Sequence, residues 1–80
     1  MPEGLRDILR ASFATEVADR LPRIMAMEDL DAVRRDVHTL ASSAVVVGEP
    51  ELAAAARAAE QDLNVESVGR LADALRAWTP

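Results

Sequence analysis

Apolar side chains recur every three or four residues along almost the whole of this 80-residue chain. The first series is Leu5, Ile8, Leu9, Phe13, Val17, Leu21 and Ile24. The second is Leu30, Val33, Val37, Leu40, Ala44 and Val47. The third is Leu52, Ala55, Ala56, Ala59 and Leu63, and the fourth is Val65, Val68, Leu71, Ala72, Leu75 and Trp78. Each residue of a helix turns the chain by about 100°, so these steps return a side chain to the same face. The pattern predicts four amphipathic helices, each with one stripe to bury. Alanine is abundant and aromatics are nearly absent, with one Phe, one Trp and no Tyr, which favours helix over strand. With short connections the prediction is an all-α, antiparallel up-down four-helix bundle, one domain over residues 1–80.

Local signals set the expected boundaries. Helix 1 is predicted from Pro2 to Met27, with irregularity near Arg20 because Pro22 removes a backbone donor. Glu28 or Asp29 can start helix 2, where an acidic group suits the helix dipole. Helix 2 is expected over 29–47, with Gly48 as its stop. Pro50 fits the first turn of helix 3, whose alanine face lets a neighbour pack closely. Asn64 can end helix 3 and cap helix 4, and Thr79 and Pro80 end the chain.

Charge narrows the function classes. The net charge is −5, and the whole deficit falls between Glu28 and Asp62. All nine basic residues are arginine. A balance of this sign has no basic footprint for nucleic acid. With no cysteine there is no disulfide framework, redox motif or thiolate metal site. No apolar run reaches the roughly 20 residues of a membrane span, and no signal-peptide core is present. The expectation is a cytoplasmic protein that binds no membrane, and its charged outer faces suggest a monomer.

The single histidine, His38, follows the core position Val37 and so stands on the flank of the helix 2 stripe. Its neighbours on that flank are Arg34 and Arg35 one turn before, Ala41 and Ser42 one turn after, and Val45 two turns after, with Val46 beside it. An imidazole with a model-peptide pKa of about 6.5 spends much of its time neutral near pH 7, and its free nitrogen can attack phosphorus. Arg34 and Arg35 can offset the charge of a bound phosphoryl group. Ala41 and Ser42 are small enough for close approach, and the valines leave apolar surface for docking. A solvated surface histidine is the plain alternative.

The stretch from Asp29 to Gly48, DLDAVRRDVHTLASSAVVVG, resembles the histidine-containing phosphotransfer (Hpt) domains of bacterial phosphorelays. Their motif runs from an aspartate through a helical lead-in to His-x-x-Lys-Gly-Ser-Ala, with a glycine ten residues after the histidine. Asp29 stands at the lead-in, His38 at the phosphorylated position, Thr39 and Leu40 after it, Ser43 and Ala44 at the Ser-Ala pair, and Gly48 in register. The next family helix usually ends on Leu-Glu, where this chain has Ala59-Glu60. Two departures stand out: the family lysine is Ala41 and the following glycine is Ser42. The chain is also short for the family, with helix 4 clipped.

The resemblance implies a phosphoryl shuttle without autokinase activity. His38 exchanges phosphate with the aspartate of a response-regulator receiver domain, and the partner is such a receiver or a hybrid histidine kinase. No cofactor is held by this chain, since the receiver contributes Mg²⁺. Arg34 and Arg35 take over electrostatic support from the missing lysine, and Ala41, Ser42 and Val45 form a docking floor. A degenerate adaptor that binds a receiver or kinase without phosphotransfer is the alternative. An acyl carrier is disfavoured because Ser42 and Ser43 lie mid-helix and Ser67 stands in VESVG and not in an Asp-Ser-Leu motif. A zinc site is disfavoured by the single histidine, and a hydrolase by the absence of an orienting acid on the His38 face and of a nucleophile elbow.

Overall fold

The structure, a computed structural model, describes residues 3–78. They form four helices: α1 (Glu3–Ala26), α2 (Leu30–Val46), α3 (Pro50–Gln61) and α4 (Val65–Ala77). Each helix packs on two neighbours, in the closed order α1, α2, α3, α4. The result is the expected all-α antiparallel bundle, 38 Å long and 20 Å in both other directions. The proposed start at Pro2 and the chain end at Thr79 and Pro80 lie outside the described residues.

The turns follow from their residues. The Asp29 carboxylate caps α2 by accepting from the backbone N–H groups of Asp31 and Ala32, which would otherwise lack acceptors at a helix start. At the other end Gly48 adopts φ 76°. Its N–H donates to Val45 O, and that of Glu49 to Ala44 O, so the last carbonyls of α2 are closed off in a Schellman turn. Pro50 opens α3 at once. Asn64 caps α4 in a reciprocal box with Ser67, while α3 has already ended at Gln61 with Asp62 as its cap.

Two expectations about α1 change. The helix runs unbroken through Pro22 to Ala26; the proline is exposed, so its ring points away from the core. The chain instead turns at Met27, which takes φ 49°. The apolar stripe also does not bury along its whole length. Phe13 and Ile24 are at the core, but Leu5 is 45% and Ile8 63% exposed. At about 1.5 Å per residue, the 24 residues of α1 outrun the 17 of α2, and the first turns have no helix beneath them.

The core is narrow. Phe13, Ile24, Val33, Val37, Leu40 and Leu71 are its largest fully buried side chains. Ala53, Ala56 and Ala59 present the buried face of α3, bringing that helix close to α2. Phe13 meets Trp78 edge to face, centroids 4.9 Å apart, a favoured aromatic geometry. Arg10 lies over the same indole at 5.2 Å and pairs with Glu49 at 2.7 Å. The Trp78 indole and the Arg10 guanidinium hold the Glu49 carboxyl below the usual carboxylate range. Trp78 Nε1 meets no acceptor in full hydrogen-bond geometry, so the Arg10 pair is the firmer of the two contacts.

Candidate functional site

Helix α2 faces outward along one arc, and that arc carries most of the residues singled out from the sequence. Arg34, Arg35, His38, Ser42 and Val45 are all exposed, as is Val46. At about 100° per residue, Arg34 and Val45 lie on the α3 side of His38, and Ser42, Arg35 and Val46 on the α1 side. The structure thus gathers five of the six expected residues on one surface.

The sixth is placed differently. Ala41 is 3% exposed and belongs to the core cluster. A residue three positions after His38 turns back toward the α2–α3 seam, and the alanine face of α3 closes over it. Ala41 therefore contributes no open floor. Its small methyl group sets how near α3 comes to the ring.

That nearness supplies what α2 lacks. Glu60, on the last turn of α3, reaches across so that its Oε1 lies 2.8 Å from His38 Nδ1. A carboxylate can only accept, so Nδ1 carries the hydrogen. In the neutral ring Nε2 then keeps its lone pair. The His38 side chain is 66% exposed and that of Glu60 29%, so the ring is accessible while its Nδ1 is engaged. An orienting acid was not found on the His38 face of α2 because it comes from the next helix. The Ala59-Glu60 pair was its signal, but sequence spacing does not reveal which α3 residue stands opposite His38.

Asp36 is buried on the far side of α2 and takes no part in the site. It accepts from Arg20 Nη1 at 2.7 Å and from Arg23 Nε and Nη2 at 3.1 Å. Arg23 above all, with Arg20, holds its carboxyl below the usual carboxylate range against the opposing effect of burial. This cluster ties α1 to α2 and so fixes which arc of α2 stays outside.

Beside that arc, a cleft of about 210 Å³ runs between α1 and α2, lined by Leu9, Phe13, Ser42 and Val46 among others. With exposed Ile8, Val45 and Val46 it extends the His38 face as apolar ground. The sequence pattern had assigned Ile8 to the core, so this part of the surface was not anticipated.

The family model for the Hpt domain matches residues 8–79. The chain belongs to the Hpt domain family. That span takes in all of α2, α3 and α4 and most of α1, including both partners of the His38–Glu60 contact. Hpt domains are helical bundles that work in phosphorelays, where they interact with receiver domains and kinases. Searches among curated proteins and among solved structures each returned no match. Among the described residues of this Hpt domain, no group of three or more acidic or histidine side chains could hold a metal ion. No helix among them is long and apolar enough to cross a membrane.

Proposed function

We propose that this Hpt domain carries a phosphoryl group on Nε2 of His38 and exchanges it with the aspartate of a receiver domain. The observation that carries the reading is the His38–Glu60 contact, which occupies Nδ1 and leaves Nε2 as the free nitrogen of a ring that is 66% exposed.

In the forward step the Nε2 lone pair attacks phosphorus of the receiver's acyl phosphate. The P–O bond breaks, and the aspartate oxygen leaves with its electron pair. Nδ1 keeps its proton, and the positive charge that develops on the ring faces the Glu60 carboxylate. The same arrangement run backward returns the group to a receiver, because a phosphorylated imidazole that stays protonated at Nδ1 is a good leaving group. Glu60 fixes the tautomer and ring orientation, as a carboxylate does for other working histidines. Arg34 and Arg35 border the ring and offset phosphoryl charge. Ser42, Val45 and Val46, with the α1 cleft, form the ground on which a receiver docks.

Transfer is tested with a panel of phosphorylated receiver domains, scoring acid-labile label on the wild type and on His38→Gln. Label on the wild type alone supports the reading, with receiver binding retained in the variant. Binding without label makes the protein an adaptor on the same bundle. Label on both proteins removes His38 from the assignment. Glu60→Ala is expected to slow transfer about fivefold while leaving binding intact, on the scale of one partly exposed charged hydrogen bond. An unchanged rate would show that ring orientation is set elsewhere.

A further inference from the structure

We propose that Arg57 is a positioning residue of this site, holding from α3 the phosphoryl group that His38 carries; the inference rests on the phosphotransfer reading above. The argument begins with register. Helices α2 and α3 run antiparallel, and the contact of His38 with Glu60 sets residue 38 opposite residue 60. Three steps forward along α2 and three back along α3 set Ala41 opposite Arg57. Arg57 is also one turn before Glu60 on the same side of α3. It therefore flanks the ring along the seam on the side of Ala41, while Arg34 flanks it one turn away in the other direction.

The ion pairs point the same way. Arg10, Arg20, Arg23, Arg70 and Arg76 have carboxylate partners. Among the described residues four arginines, Arg6 on α1 and Arg34, Arg35 and Arg57, are exposed and pair with no carboxylate within 4 Å. Of these, Arg34, Arg35 and Arg57 stand on the two helices that build the His38–Glu60 contact, inside the stretch that holds the whole −5 of the chain. Glu60 stands three residues from Arg57 yet is engaged with His38 instead. A phosphoryl group on Nε2 adds negative charge beside the Glu60 carboxylate, and a cation is needed there. Ala41 is a buried methyl that offers none, and the guanidinium across the seam has a long stem, a planar fork matched to phosphate oxygens and no competing carboxylate.

The consequence is kinetic. Hydrolysis breaks the P–N bond as water adds to phosphorus, and Nε2 keeps the electron pair. Protonation at Nδ1 speeds that cleavage. A guanidinium at the phosphoryl oxygens stabilises the dianion and disfavours the ring cation beside it, so it eases loss of the Nδ1 proton and lengthens the life of the phosphohistidine.

The test needs no partner. Phosphoramidate labels the protein directly: Nε2 attacks phosphorus, the P–N bond of the reagent breaks, and ammonia leaves with the electron pair. The half-life of acid-labile label is then followed for wild type, Arg57→Ala, Arg57→Lys and Arg57→Glu, with His38→Gln as blank. The expected result is a half-life about threefold shorter in Arg57→Ala, shorter again in Arg57→Glu, and largely restored in Arg57→Lys, the scale of one exposed charge pair. The difference should shrink as salt rises toward about 1 M, which a merely structural role would not show. Equal half-lives in wild type and Arg57→Ala overturn the proposal, as does a wild type that takes no label. The receiver panel separates the two readings. Labelled wild type that passes phosphate to a receiver with no Arg57 effect sinks this inference alone. An Arg57 effect on a label that no receiver accepts sinks the phosphotransfer reading and leaves the phosphoryl contact standing.

Discussion

At the scale of single residues, the site is set by what small side chains permit. Ala41 lets α3 approach until Glu60 meets His38 Nδ1 at 2.8 Å; a longer residue there would hold the helices apart. Restoring a lysine at this position is therefore not a neutral repair. The methyl is 3% exposed, and a lysine stem must either push α3 outward or thread along the seam to free its ammonium. Ala41→Lys is expected to lower stability by about 1–3 kcal/mol, read as a lower urea midpoint. An unchanged midpoint would mean that the seam opens without strain. The histidine, the arginines and Ser42 were legible as a surface group because helical spacing alone fixes their common face. Ala41 was misplaced by the same spacing, since it lies at the edge of that face and the partner helix decides on which side of the edge it falls.

At the scale of elements, the α2–α3 turn carries the register on which the site depends. Gly48 holds φ 76°, and a Cβ built there would meet nothing within 4 Å. The cost of a side chain is then one of backbone conformation alone. Gly48→Ala is expected to destabilise the fold by about 1 kcal/mol, seen as a drop in melting temperature, with the His38 site intact once folded. A much larger loss would indicate that the turn is packed more tightly than its surroundings show. Glycine as stop, proline as start and the Asp29 and Asn64 caps could all be read from the chain, because each acts on its own backbone. The exposure of Leu5 and Ile8 could not, because it depends on how far the neighbouring helices extend.

At the scale of the whole molecule, a thin alanine-lined core is reinforced by polar ties between α1 and the rest. Asp36 is buried and bound to Arg20 and Arg23. Its folded pKa is depressed, chiefly by Arg23. The stabilisation is therefore present above the unfolded value near 3.8 and is lost as pH falls through the lower, folded value. Asp36→Asn is expected to cost about 2 kcal/mol near neutral pH, because it takes the negative charge and one of two acceptor oxygens from the two guanidinium groups. The gap between variant and wild type should narrow as pH falls below the unfolded value and through the depressed folded one, measured by chemical denaturation across the range. A gap that persists undiminished in acid would assign the effect to packing instead of charge. Glu49, depressed by Trp78 and Arg10, adds to the same acid limb.

The order of helices, their caps and the outward histidine follow from local chemistry: period, propensity and turn residues act within a few positions of one another, so they are written into the chain. The partner of His38, the place of Ala41 and the opposition of Arg57 follow from packing between helices. A carboxylate twenty-two residues away becomes a neighbour only when an alanine face lets two antiparallel helices close to one particular register. Periodicity names the face that each helix buries, but the depth and register of contact are set by the side chains of both helices together.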